Sequence, residues 1–248
     1  MGTTYHNKPI VTDGLVFYVD PANKVSYVSG SSDTFNLITP SITGSLKNDT
    51  SFVSNNSGVW DFDGTDDIIN LGSSDTFSLC SGSAGTNGSD APASIGLWFN
   101  TEATQWQDLI SKIQGGVYEW RIALIPSSTQ IRFQIFNSGS GVGARRNYYG
   151  NTSISTNTWH NYVVTYDGTA TNSSAKMYLN GKSISTSGNM NGTYLGMDNT
   201  DKPCVIGATG DLSDDFEGQI STVKIYKDKV LSAQEIKQNY NALKNRFI

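Results

Sequence analysis

Apolar and polar residues alternate along most of the chain in short runs. In GLVFYVD, Leu15, Phe17 and Val19 oppose Val16 and Tyr18, so both faces are apolar and the strand it predicts is covered on both sides. ASIGLWFN sets Ile95, Leu97 and Phe99 against Ser94, Gly96, Trp98 and Asn100. QIRFQIF puts Ile131, Phe133 and Ile135 on one face and Arg132 and Gln134 on the other. In TWHNYVVTYDG a period of two places His160, Tyr162, Val164 and Tyr166 together, opposite Trp159, Asn161, Val163 and Thr165. VWDFDG, DIINLG, CVIGAT and GQISTVKIYK add further strands, and Asn180-Gly181 supplies the two positive φ angles of a type I′ hairpin turn. Short strands at this spacing predict a two-sheet antiparallel sandwich.

One segment departs from that period. LSAQEIKQNYNALKNRF carries Ser232 with Glu235 three residues on, a capping-box pattern, and then Ile236, Tyr240 and Leu243 at helical spacing. A short C-terminal helix is expected over 232–246. The expected organisation is an N-terminal arm, 1–13, and one domain, 14–248. The polar stretches Ser73–Pro92 and Asn137–Ser153 are expected to be rim loops.

Composition agrees. Charged residues make up 16% of the 248, the net charge is −5, and Gly, Ser, Thr and Asn abound. This disfavours helical bundles, and gives no electrostatic case for nucleic acid or an anionic membrane as partner. No apolar run approaches the ~20 residues of a membrane-spanning helix. The N-terminal MGTTYHNKPIVTDG lacks a basic region followed by an apolar one, so no secretory signal is read. Cys80 and Cys204 are too few for a disulfide framework, and their pairing is left open.

His160 and Asp167 are seven residues apart in an extended strand, roughly 23 Å at ~3.3 Å per residue, so they form no dyad. WDFDGTDD clusters Asp61, Asp63, Asp66 and Asp67; calcium takes several oxygen ligands, and Asp63 and Asp66, with Asp20 as a distant third, are the expected set. GARRNYYG brings Arg145, Arg146, Tyr148 and Tyr149 together in what reads as a Gly-rich loop. Tyrosine rings stack on sugars or anchor interfaces, and arginine pairs with carboxylate or sulfate. Trp106 and Trp120 are further aromatic candidates.

Taken in order, GLVFYVDPAN, WDFDGTDDIINLG, ASIGLWFN, TWHNYVVTYDG, KMYLNGKSIS, VIGAT and FEGQISTVKIYKDKVLSAQEI strongly resemble laminin-G-like, concanavalin-A-like jelly-roll domains, from about Gly14 to Tyr240. The resemblance implies two curved sheets packed face to face, a face or rim that often binds carbohydrate, and frequently a calcium ion. Some hydrolases of this fold use two carboxylates on one Glu-x-Asp-x-Glu strand. Here Glu102, Glu119, Glu217 and Glu235 are scattered, so no enzyme is expected. The ending also resembles the close of such domains in tailed-phage structural proteins. The expected role is therefore a non-enzymatic virion surface protein, a capsid decoration or tail/fibre component, made in the host cytoplasm. Its partners would be capsid or tail proteins, or further copies of itself, with a cell-surface glycan as a second ligand. The alternative is a carbohydrate-binding module of a secreted, extracellular protein. The N-terminal arm and the Arg145–Tyr149 segment are the expected attachment points.

Overall fold

The computed structural model describes residues 8–81, 89–126, 130–137 and 144–248. The strands run in chain order β1 (Leu15–Val19), β2 (Asp33–Phe35), β3 (Thr43–Lys47), β4 (Ser51–Val53), β5 (Val59–Asp63), β6 (Ile68–Asn70), β7 (Cys80–Ser81), β8 (Ser89–Asp90), β9 (Ala93–Thr101), β10 (Gln107–Gln114), β11 (Val117–Ile125), β12 (Gln130–Asn137), β13 (Ala144–Gly150), β14 (His160–Tyr166), β15 (Ala175–Leu179), β16 (Lys182–Ile184), β17 (Thr186–Asn191), β18 (Val205–Ile206) and β19 (Glu217–Lys227), before helix α1 (Ala233–Leu243). Two large antiparallel sheets result, the jelly-roll-like sandwich that the alternation predicts. One runs β16-β15-β14-β9-β19-β5-β4, with β1 also on β19; the other runs β17-β13-β12-β11-β10-β18-β6-β3-β2.

The main core lies between the sheets, built from the inward half of each alternation: Ile95, Leu97 and Phe99 from β9, Ile131, Phe133 and Ile135 from β12, and Tyr162, Val164 and Tyr166 from β14. Phe133 meets Tyr166 across the sandwich edge-on at 6.0 Å. His160 belongs to this inward row. Its ring lies 5.7 Å from Phe99, its Nε2 is 3.0 Å from the Ser155 carbonyl, and burial lowers its pKa.

The eight-stranded sheet has a second, smaller core on its outward face. α1 starts at the expected capping box, Ser232 with Glu235, and ends in a 3₁₀ turn over Lys244–Arg246. Ile236 packs with Val163, Tyr178 and Tyr226, while Tyr240 and Phe247 pack on Trp98. Asn180 and Gly181 have φ of 52° and 71°. A Cβ on Gly181 would lie 2.9 Å from Tyr240, so the hairpin turn and the helix need the glycine together.

Three expectations change. Ser73–Pro92 is no surface loop throughout: its described part places Phe77 and Leu79 in the core and pairs β7 with β8. Cys80 and Cys204 are both buried and free. The described part of the arm docks on its own chain, where the Val11 amide donates to Asn239 Oδ1 at 2.8 Å and Tyr226 Oη donates to the Val11 carbonyl at 3.0 Å. Residues 1–7, the rest of that expected attachment device, lie outside the described residues.

Candidate functional site

Among the described residues no helix lies on the outward face of the nine-stranded sheet, and its alternation leaves polar and aromatic residues there. Arg121 on β11 pairs with Gln134 on β12, Gln134 with Asn147 on β13, and Asn147 with Asn189 on β17. Register alone would place these side chains in one row, and hydrogen bonds join them. Arg121 Nε donates to Gln134 Oε1 at 2.7 Å, Gln134 Nε2 to Asn147 Oδ1 at 2.5 Å, and Asn147 Nδ2 to Asn189 Oδ1 at 2.7 Å. This spine fixes the face, because each amide spends a donor and an acceptor on its neighbours.

The next row pairs Ala123 with Arg132 and Arg132 with Tyr149. Trp106, from the loop before β10, lies over both arginines, with guanidinium carbons 4.7 Å (Arg121) and 4.3 Å (Arg132) from its ring centroid. Arg132 also lies 5.4 Å from the Tyr149 ring, and its Nη1 donates to Tyr149 Oη at 3.5 Å. A third row brings Phe136 beside Arg145, with Tyr118 5.1 Å from Phe136. Tyr118 reaches this face because the register slips between Lys112/Trp120 and Ile113/Tyr118, leaving Glu119 as the extra residue. Trp106, Tyr118, Arg121, Arg132, Phe136 and Arg145 line a groove of about 470 Å³, closed on one side by the Thr209–Asp214 loop, with Tyr149 beside it against Arg132.

The acids beside the groove are engaged. Arg121 Nη1 lies 2.9 Å from Asp214 and 3.5 Å from Asp108. Asp108 is fully buried, and burial pushes its carboxyl up to about 7 against the pull of Arg121. Glu119 points away, into a buried pair with Lys112 Nζ at 2.7 Å that Thr200 and Ser78 complete.

Of the expected ligand-binding residues, Trp106, Arg145 and Tyr149 converge on this groove. The segment Arg145–Tyr149 is strand β13 and no loop. Consequently Arg146 and Tyr148 point elsewhere. Tyr148 is in the core with its hydroxyl on the Thr171 carbonyl, and Arg146 donates to Asn172 at 3.2 Å by a separate hollow next to Asp90. Trp120 is core, its Nε1 donating to the Phe77 carbonyl at 2.8 Å. Arg121, Arg132 and Tyr118 were not among the expected site residues. The available signal was the outward position of Arg132 and Gln134 in QIRFQIF.

The acidic cluster forms where β5 of one sheet turns into β6 of the other. Carboxylate oxygens of Asp63, Asp66 and Asp67 lie within 4.8 Å of one another. Asp67 Oδ2 accepts the Asp63 amide at 2.9 Å, while its Oδ1 is buried without a partner among the described residues. Burial pushes this carboxyl up to about 6, and Asp63, Asp66 and Asp49 add to the rise. An orphaned buried carboxylate oxygen beside two others fits a hard, oxygen-seeking cation. Asp20 is not part of it. Both its oxygens accept from Arg246 Nη1 at 3.0 Å, so it pins the C-terminal turn to the end of β1. The third ligand that the sequence offered was Asp67, four residues from Asp63.

Among solved structures, the chain is similar to the binding domain of Paraclostridial Mosquitocidal Protein 1, with a TM-score of 0.67 at 14% identity over 92% of this chain and 52% of that one. The chain thus spans about half the length of that structure. It is also similar to domain 4 of an extracellular arabinanase from Geobacillus stearothermophilus in complex with arabinotriose (TM-score 0.56, 15% identity, 91% of this chain and 98% of that one). A third is Trypanosoma rangeli sialidase in complex with sialic acid (TM-score 0.63, 11% identity, 97% and 35%). At these identities the likeness is one of fold. No curated protein matches the chain. The family model for the concanavalin A-like lectin/glucanases superfamily matches residues 71–237, most of both sheets and the start of the helix. The chain therefore belongs to the concanavalin A-like lectin/glucanases superfamily.

Proposed function

We propose that this chain is a non-enzymatic glycan-binding module whose ligand lies along the outward face of the nine-stranded sheet. One observation carries the reading: Trp106 and Tyr118 line a groove with Arg121, Arg132 and Arg145, on a face that no helix covers among the described residues. Aromatic rings give a sugar ring a flat apolar partner, and the buried polar spine beneath holds Arg121 in place. The arabinanase domain lends support, since its length matches this chain's and it is solved in complex with arabinotriose. Hydrolysis needs two reachable carboxyls at a set spacing. Asp108 is out of reach beneath the face and Asp214 is held by Arg121.

The setting follows the sequence resemblance: a virion surface, as capsid decoration or tail/fibre component, with a secreted protein as the alternative. A sheet face turned to a glycan serves either. Calcium belongs to the same proposal, with Asp63, Asp66 and Asp67 holding it; when bound it would neutralise three carboxylates and tie β5 to β6.

The test is a glycan array followed by calorimetry on wild type and Trp106→Ala, with reducing-sugar release measured in parallel. Binding that Trp106→Ala weakens at least tenfold, without sugar release, is the expected result. Sugar release by wild type, or binding unmoved by Trp106→Ala, overturns the reading.

A further inference from the structure

We propose that the saccharide taken by this groove is acidic, bearing a carboxylate or sulfate that Arg132 receives. This rests on the glycan-binding reading above and adds to it a ligand class. The charges of the face lead there. Arg121 has two carboxylates within 4 Å, Asp214 and Asp108. Arg132 has none among the described residues. Among the described residues its Nε is buried with no acceptor, and its one hydrogen bond is a long one to a neutral phenol. A half-buried guanidinium without a counterion is costly unless something else meets it.

Trp106 and Tyr149 meet its faces and so hold the plane rigid. Its edge, with Nη2 unbonded among the described residues, remains for a ligand. A guanidinium fork matches a planar carboxylate or a sulfate edge with two parallel hydrogen bonds, and stacking has already removed the rotamer freedom such pairing would otherwise cost. The rest of the chain does not favour anions in general, because its net charge is −5. The attraction is local, so what the groove reads is an acidic group set beside a sugar ring. Trp106 and Tyr118 lie on the groove beside Arg132 and supply the surface for that ring. Carboxylate and sulfate share this chemistry, and the experiment separates them.

The full chain is titrated calorimetrically with four probes: a galacturonate hexamer, its methyl ester, a sulfated galactan hexamer and the desulfated form. The expected result is binding to one acidic probe at least tenfold tighter than to its neutral twin, weakening as salt rises from 50 to 300 mM, a range on the order of that used to reveal ion pairing. Arg132→Gln should erase the preference, lowering the acidic probe's affinity at least tenfold more than its neutral twin's. Arg132→Lys, which keeps the charge but loses the fork, should retain only part of it. Trp106→Ala should weaken acidic and neutral probes alike. Equal affinity for acid and ester, and for sulfated and desulfated galactan, overturns the acidic-ligand inference while leaving glycan binding standing. No binding to any of the four, together with an empty glycan array, overturns both. Tight binding to a single-stranded oligonucleotide instead of these probes overturns the inference. Should Arg132→Gln melt early, the salt dependence and the acid-to-ester ratio of wild type still decide the question.

Discussion

Each outer face of this sandwich carries a tryptophan, and the two meet different fates. Trp98 on β9 is 1% exposed, stacked by Phe247 at 4.3 Å and Tyr240 at 5.6 Å, rings that the C-terminal segment brings down onto the eight-stranded sheet. Trp106, over the nine-stranded sheet, is stacked by Arg132 and Arg121 and stays half-buried. One face is closed by the chain's own apolar groups and so contributes to stability. The other is finished with guanidiniums and amides, which cost less to expose, and is left for a ligand. The same outward half of a strand alternation thus becomes core or site according to what the chain lays over it.

That contrast is sharpest in paired truncations. Trp98→Ala removes a fully covered ring and leaves a cavity beneath Phe247 and Tyr240, so it should cost about 3–5 kcal/mol. Trp106→Ala loses two cation–π contacts at a half-exposed site and should cost about 1 kcal/mol. Urea melts of both variants check this. Comparable losses would mean that the two faces do not differ in kind.

The acidic turn joins the two sheets, so calcium there should stabilise both faces together. At a concentration a hundredfold above its Kd, a ligand specific for the folded state adds about 2.7 kcal/mol. The melting temperature should therefore rise with calcium over EDTA, and the rise should vanish in Asp67→Asn. A melt indifferent to calcium removes the metal from the proposal.

How much of this was legible in the sequence depends on the range of the interaction. His160 and Tyr162 facing inward, the Asn180-Gly181 turn and the Ser232–Glu235 cap all follow from neighbours within a few residues, and each was read correctly. Strand β13 reads as a loop because only Tyr148 and the small Ala144 and Gly150 mark its inward face, while Arg145, Asn147 and Tyr149 alternate to the outward, polar side. A strand at a polar face loses the alternation that would reveal it. Asp20 was misjudged for another reason. Its partner, Arg246, is 226 residues away, and no local pattern announces that pairing. The groove itself needs four strands in register, so single-strand periodicity could place Arg132 outward without showing that Trp106 and Tyr149 would enclose it.

The covered face also buries a cation. Lys224 on β19 is buried, with Nζ 4.5 Å from the Tyr18 ring and, among the described residues, one hydrogen bond, to Thr222 Oγ1 at 3.1 Å. Burial pulls its pKa down to about 7. The folded chain then binds fewer protons than the unfolded chain between about pH 7 and 10.5, so this group makes stability rise with pH across that window. Lys224→Met should raise stability by about 1–3 kcal/mol at pH 7, less near pH 10, and flatten the rise. A loss of stability at pH 7 would show that the ammonium is better satisfied than its single bond suggests.

The smallest expected effect lies beneath the open face and carries the opposite sign. Asp108 is fully buried, its Oδ2 has no partner among the described residues, and its nearest cation, Arg121 at 3.5 Å, is shared with Asp214. Burial raises its pKa to about 7, so the folded chain holds a proton that the unfolded chain releases near pH 4. Between pH 4 and 7 the folded state binds more protons, and stability falls as pH rises through that range, remaining lower above it. Asp108→Asn keeps the shape and removes the titration. It should be more stable than wild type by about 1 kcal/mol at pH 8, with the difference shrinking toward pH 5, because the lost attraction to Arg121 offsets part of the desolvation relieved. Chemical denaturation at pH 5 and pH 8 reads both values. A variant less stable than wild type at pH 8 would mean that the Asp108–Arg121 pair outweighs the burial of its carboxylate, and that the open face, like the covered one, is held from below by its own chain.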